Sequence, residues 1–237
     1  MGGRNVQIFP PIFNSLSMYK YIKRFFDIVF SLLALIILSP LLIPIMLLLL
    51  LTGEHEVFYL QKRIGYRNRE FDIWKFATML KNSPNMGSGD VTTRNDPRVT
   101  RVGKFLRISK LNELPQLINI LIGNMSFVGP RPLVKAGFDR YADDMKDKIY
   151  RVKPGLTGIG SIVFRDEELI ITNSSLPPHE CYRQVILPYK AAVEVWYQQR
   201  ISFYTDLMIL FLTGWYIVFS NSNLVNKVFP SLPPRNF

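Results

Sequence analysis

From Ile28 to Leu51 the chain carries no charged residue and is almost entirely leucine, isoleucine, valine, methionine, phenylalanine and alanine. A continuous helix over that run, rising about 1.5 Å per residue, is long enough to cross a hydrocarbon core of roughly 30 Å. Its length, and the lack of a small-residue cleavage site after Leu51, argue against a removable signal peptide. Any fold available to this chain must therefore give the segment a lipid-like or fully buried setting.

Two features complicate a simple span. Ser39-Pro40 lies mid-run with Pro44 one turn later, and each proline deletes a backbone donor and crowds the preceding turn, so a bend is expected. Ser39 can hydrogen-bond a freed carbonyl locally. Cations also flank both ends: Lys20, Lys23 and Arg24 before the run, then Lys62, Arg63, Arg67 and Arg69 after it. A spanning helix normally has its cationic excess on one side. Pattern alone leaves a single span and a helix–break–helix that enters and leaves by one face equally open. Residues 1–18 carry no readable chemistry and are expected to form an extension.

The remaining chain of this 237-residue protein suffices for one sizeable domain, and its formal charge of +11 favours an anionic partner, whether nucleic acid, acidic lipid or a phosphate-bearing substrate. Cys181 is the only cysteine, which excludes an intrachain disulfide and suits a cytoplasmic face. His55 and His179 are too few for a His/Cys metal cluster. Neither a Gly-rich phosphate loop nor a helix-turn-helix, zinc-finger or stacking-ribbon pattern is present, which argues against nucleic acid.

The segment 109–132 carries the most chemistry. Asn112 is an N-cap candidate, Glu113 suits a first turn, and Pro115 fits where its missing N–H is not needed. Leu114, Leu117, Ile118, Leu121 and Ile122 recur at helical spacing, and Gly123-Asn124 ends the helix. Pro130 and Pro132 restrict the backbone around Arg131, whose planar fork suits a phosphate. On spacing alone, an ordinary capped core helix followed by a turn explains the pattern better than a phosphate site.

Elsewhere, Glu56–Gly65 and Phe71–Phe76 read as a short β-hairpin, with Lys75 either a phosphate contact or a solvated strand residue. Lys81–Asp96 reads as a loop. Arg98, Arg101, Lys104 and Arg107 recur every three residues, an anion-facing stripe for headgroups or a lipid phosphate, although Lys104 suits plain solvent. Lys135–Lys153 reads as an exposed helix and Lys153–Gly158 as a turn. The apolar run 207–219 is too short for an ordinary span and is expected to pack on the domain or lie in the interface, with Trp215 and Tyr216 at headgroup depth.

The stretch Asn112-Glu-Leu-Pro-Gln-Leu117, followed by Met125-Ser-Phe-Val-Gly-Pro-Arg-Pro132, strongly resembles the signature of the bacterial monotopic phosphoglycosyl transferases, or polyprenyl-phosphate sugar-phosphate transferases. Lys23-Arg24-Phe-Phe-Asp27 and the break at Ser39-Pro40 resemble that family's anchor, and residues 57–65, 75–79, 153–158 and 201–213 resemble further family wording. The resemblance runs from about Lys20 to Thr213. It implies an α+β protein: a membrane-embedded re-entrant anchor (20–52, broken at Ser39 and Pro40) after an extension (1–19), then a small, mainly helical cytoplasmic domain (53–220) with a short hairpin and interfacial helices, and a tail (221–237). Asp27 is expected near the interface, paired with Arg24 or a neighbouring cation.

The implied reaction moves a phospho-sugar from a UDP-sugar to polyprenyl phosphate, releasing UMP, as the first membrane step of bacterial exopolysaccharide, O-antigen or glycoprotein assembly at the inner membrane. Arg107, Arg131 and Lys75 are the implied phosphate contacts, and Glu113 and Asp206 the implied catalytic acids and Mg2+ ligands. Phospholipids are further partners, and a homodimer is compatible. The chain departs from the family pattern at Ala77, where a basic residue is usual, at Ile159-Gly160-Ser161, and at Asn112, which replaces the nucleophilic aspartate. An amide is a poor attacker at phosphorus. Four explanations for Asn112 remain: an engineered trap, a natural variant using Glu113 as nucleophile or base, a disabled member acting as a nucleotide-sugar and lipid-phosphate adaptor, and slow deamidation. Departures at several places favour the natural variant.

Overall fold

The computed structural model describes residues 13–83, 96–219, 222–235 and 237. The expectations for residues 1–12 and for most of the Lys81–Asp96 loop fall outside them. The apolar run forms a single helix α1 (Phe13–Leu51) of 39 residues with Pro40 and Pro44 inside it. Helical structure thus continues through the expected break at Ser39-Pro40. The local chemistry is as anticipated: Pro40 has no N–H for the Ile36 carbonyl, and Ser39 Oγ donates to that same oxygen at 2.7 Å.

α1 lies against the rest of the molecule along much of its length. Arg24 donates to the Ile120 and Leu121 carbonyls at 2.6 and 2.7 Å. Asp27 is buried, and it accepts hydrogen bonds from the Ser126 hydroxyl (3.0 Å) and the Phe127 N–H (3.1 Å) rather than forming an ion pair with Arg24, although Lys23 and Arg24 stand close enough to act on its charge. Ala34, Leu35 and Leu38 pack on Ile73, Leu117 and Ile120, and Leu42, Ile45 and Leu49 on Phe76 and Leu106. The opposite side exposes Phe30, Leu33, Ile37, Leu41, Leu47 and Leu51.

The hairpin is as read: β1 (Phe58–Ile64) pairs antiparallel with β2 (Glu70–Phe76), Tyr59 opposite Lys75 and Arg63 opposite Phe71. Helix α2 (Arg101–Ile108) is capped by Thr100 Oγ1, which accepts the Gly103 N–H at 2.9 Å. The proposed cationic stripe is interrupted, because Arg98 precedes the helix and is buried in an ion pair with Asp96 at 2.7 Å. A 3-10 turn (Leu111–Glu113) leads into α3 (Gln116–Ile122). Asn112 therefore sits in that turn and does not cap α3. Gly123, at φ +98°, ends α3 as anticipated, with Arg24 and Lys153 close by at its negative pole. The buried face of α3 centres on Leu117, Asn119 and Ile120, while Ile122 is exposed.

The segment read as a turn at Lys153–Gly158 contains a strand. β4 (Gly155–Thr157) runs parallel to β3 (Ser126–Val128). Glycines make this pairing possible, since a Cβ on Gly155 would stand 2.1 Å from Gly129 N, and one on Gly129 2.3 Å from Lys153 O. Between these strands lie two short helices, α4 (Lys135–Phe138) and α5 (Asp143–Ile149), in place of one exposed helix. Their inner residues Phe138, Tyr141 and Ile149 are buried with Tyr150, which removes them from the solvated surface expected there. After α6 (Ile159–Val163), α7 (Glu167–Asn173) and α8 (Pro178–Cys181), a π-helical turn joins α9 (Leu187–Gln199). α10 (Phe203–Val218) buries Thr205, Asp206, Ile209 and Leu212 and exposes Phe203, Tyr204, Leu207, Leu210 and Phe211. Tyr216 is tied to the domain: its hydroxyl accepts the Val225 N–H at 2.8 Å and Arg165 lies over its ring. Helix α11 (Leu224–Val228) then places Val225 and Phe229 in the same core as Val193, Trp196, Ile209 and Leu212.

Candidate active site

A cavity of about 330 Å³ opens between the hairpin, the residues after it, α2 and the 3-10 turn. Strand alternation builds one wall. Tyr59, Gln61 and Arg63 share a face of β1, and Lys75, opposite Tyr59, continues that face on β2 toward Ala77. The other wall comes from Arg107, Lys110, Asn112 and Glu113. Lys110 holds a left-handed backbone (φ 60°) that turns the chain from α2 into the 3-10 turn. Arg107 is oriented by Thr78, whose Oγ1 accepts from Nε at 2.8 Å.

The site is electrostatically positive. Burial, reinforced by the neighbouring Arg63 guanidinium, pulls the Lys75 ammonium down to about 8, against the attraction of Glu113. Burial likewise lowers Arg107 and Arg63, and Arg131 repels Arg63 further. Cations held close against their mutual repulsion form a seat for a polyanion. Asn112 is only 9 % exposed and its Oδ1, buried at the cavity, has no hydrogen-bond partner. An unsatisfied buried amide oxygen costs roughly 1–3 kcal/mol.

The structure thus gathers Lys75, Arg107, Asn112 and Glu113 in one cavity. Arg131 stands beside it rather than in its lining, with an exposed side chain and a clamped backbone. Its carbonyl accepts from Tyr150 Oη at 2.7 Å, and Ile64 N–H donates to Leu133 O at 2.8 Å. Its charge still bears on Arg63 and Lys75. Asp206 does not line the cavity. Its Oδ1 accepts from Tyr197 at 2.7 Å, and its Oδ2 from Tyr19 at 2.6 Å and from Lys23. Lys23 also donates to Val128 O at 2.8 Å. Asp206 is thereby the knot joining the base of α1 to α9, α10 and β3. Among the described residues no group of three His, Cys, Asp or Glu could hold a metal.

Bacterial sugar transferase is the family whose pattern matches residues 18–220, nearly the whole described chain. The chain belongs to this family. Among its relatives are the undecaprenyl-phosphate glucose phosphotransferase of Komagataeibacter xylinus, 38% identical over 84% of this chain and 36% of that protein, and the undecaprenyl-phosphate galactose phosphotransferase of Salmonella typhimurium, 34% identical over 82% of this chain and 40% of that protein. The exopolysaccharide production protein ExoY of Sinorhizobium fredii is 37% identical over 81% of this chain and 83% of its own length. This family member therefore spans well under half of the two phosphotransferases and most of the length of ExoY.

Sequence reasoning missed Arg63, Gln61 and Lys110 as cavity residues in this sugar transferase fold. The first two were accessible through period-two alternation from Lys75 across the hairpin. Lys110 carried no signal, because nothing around a lysine in sequence marks the left-handed backbone it adopts here.

Proposed function

We propose that this family member transfers a phospho-sugar from a UDP-sugar to polyprenyl phosphate with release of UMP. The observation that carries the reading is the joint lining of one cavity by Lys75, Arg63 and Arg107 with Glu113 and the unpartnered Asn112 oxygen. The cations neutralise a diphosphate, and the enclosed setting strengthens their pull on charge developing at phosphorus. Glu113 is the carboxylate coupled to those cations. It attacks the β-phosphorus, the bond to the bridging oxygen breaks, and UMP leaves with the electron pair. A polyprenyl-phosphate oxygen then attacks the same phosphorus and releases Glu113 as a carboxylate.

Mg2+ suits the donor set. Glu113 and Asn112 Oδ1 are oxygen ligands in one cavity, and a magnesium ion typically takes few protein ligands with substrate phosphates and waters completing its shell. When bound it supplies charge neutralisation to the diphosphate. Asp206, occupied by Lys23 and two tyrosines, is replaced by Asn112 in that proposed set.

The same packing supports an anchor that enters and leaves the inner membrane by its cytoplasmic face. Both the Arg24–Asp27 end and the Leu42–Leu49 end of α1 rest on the same domain. The exposed apolar residues of α2, α10 and the outer side of α1 are then seated in phospholipid.

A second reading, a binding adaptor without turnover, draws on the amide at 112. UMP release from a UDP-sugar panel with polyprenyl phosphate and Mg2+ separates the two. Release by the native chain, lost in Glu113→Gln, is expected, together with a phospho-sugar adduct on the peptide carrying Glu113. Activity confined to Asn112→Asp would overturn Glu113 as nucleophile, and silence of all three would favour the adaptor.

A further inference from the structure

A second groove of about 350 Å³ adjoins the catalytic cavity. The two share Glu54, Glu56, Ala77 and Met79 in their linings, so only small or flexible groups separate them. Ala77 is held in place by its N–H donating to Val57 O at 2.9 Å, and its methyl is all that stands at the junction from that position. The groove continues along Leu49, Met79 and Val102 to Thr52 and Arg101. Thr52 turns its hydroxyl inward, donating to Leu48 O at 2.5 Å. At this end the last turns of α1 expose Leu47, Leu48, Leu50 and Leu51, and α2 exposes Phe105 and Ile108.

The groove thus runs from an apolar lip on the membrane helix into a cavity of fixed cations. We infer that it holds the phosphate-proximal prenyl units of the lipid acceptor, with Ala77 as the residue that keeps the passage open. A branched hydrocarbon ending in phosphate matches the order of surfaces: exposed leucines, a channel along Leu49, Met79 and Val102, then Lys75 and Arg107, with Glu54 and the Lys81-paired Glu56 at the junction. Arg101, exposed at the rim, meets headgroups of surrounding lipid. This inference rests on the acceptor proposed above.

The test uses the full chain in phospholipid nanodiscs with a polyprenyl phosphate bearing a diazirine on its first prenyl unit. Label is expected on peptides covering residues 49–56, 77–79 and 100–102, displaced by unlabelled polyprenyl phosphate and not by phosphatidic acid. Val102→Phe fills the groove from a residue that does not line the catalytic cavity. In that variant labelling there should fall about tenfold, and KM for polyprenyl phosphate should rise by a similar factor while KM for the donor changes by less than threefold. Ala77→Leu should reduce the label to the same extent. Mapping in the native chain stands whether or not either variant folds. Polyprenyl-competed label at the Asp206 end of α10 instead, or equal displacement by phosphatidic acid, would overturn the groove and leave lipid-phosphate binding standing. No competed label anywhere would overturn both.

Discussion

Lys75 illustrates how a single side chain in this protein acquires a working charge. On an open strand it would be one more solvated cation, but burial against Arg63 brings it down to about 8. A diphosphate binds its ammonium form, so affinity for the donor is held below pH 8 and lost as pH rises through that value. KM for the UDP-sugar should therefore climb above pH 8, approaching tenfold per pH unit. Lys75→Arg, which stays charged, should flatten that rise, and Lys75→Ala should raise KM about 10- to 100-fold at pH 7, the range of a charge-assisted hydrogen bond. Initial-rate measurements across pH 6.5–9.5 check all three. Asn112 is the converse case: its neighbours are all in place, and its own orphaned oxygen marks the ligand side of the cavity.

Between elements, the contact of α6 with α9 depends on a glycine and a buried acid. Gly160 admits Glu194, whose Oε1 would lie 2.3 Å from a Cβ at position 160. Full burial pushes the Glu194 carboxyl up to about 7, and its Oε2 has no hydrogen-bond partner. The folded state holds this proton more tightly than the unfolded chain. Its stability is thus greatest below pH 4.5 with respect to this group and falls as pH rises from there through 7, by on the order of 3 kcal/mol. Glu194→Gln should remove most of that decline, so thermal unfolding of the variant in detergent should lose its slope between pH 5 and 8. Gly160→Ala should lower the melting temperature at every pH. Gly160 thereby has a packing role beside Glu194.

For the molecule as a whole, the question is how a 39-residue helix, uncharged and apolar from Ile28 onward, is joined to a basic domain. The joint is polar at one end, through Lys23, Asp206, Tyr19 and Tyr197, and apolar at the other, through Leu42, Ile45, Leu49, Phe76 and Leu106. Breaking a buried ion pair by removing one partner leaves the other charge uncompensated, at a cost of about 3–5 kcal/mol. Asp206→Asn should accordingly lower thermal stability by that order and expose the base of α1 to protease. Lys23→Met combined with Asp206→Leu should recover part of the loss. The Mg2+ dependence of UMP release should be unchanged in whatever fraction stays folded. A shift in that dependence would return Asp206 to the metal.

Local chemistry legible in the chain includes the apolar run, the hairpin, the stop at Gly123 and the bond from Ser39 to the carbonyl freed by Pro40. Each depends on neighbours in sequence: hydropathy over one helix, alternation over one strand, a left-handed glycine, a missing N–H. The co-location of Lys75, Arg107, Asn112 and Glu113 followed from motif wording rather than from spacing. Tertiary structure alone decided that Asp27 holds β3, that Lys153–Gly158 contributes a parallel strand, that Arg98 is buried with Asp96, and that Asp206 ties helices together away from the cavity. For Asp27 and Asp206 the partners stand about 100 to 190 residues away, and for the parallel strand glycines let two backbones touch. For Arg98 the ion pair with nearby Asp96 is local but its burial is set by the surrounding fold, and no local pattern encodes any of these.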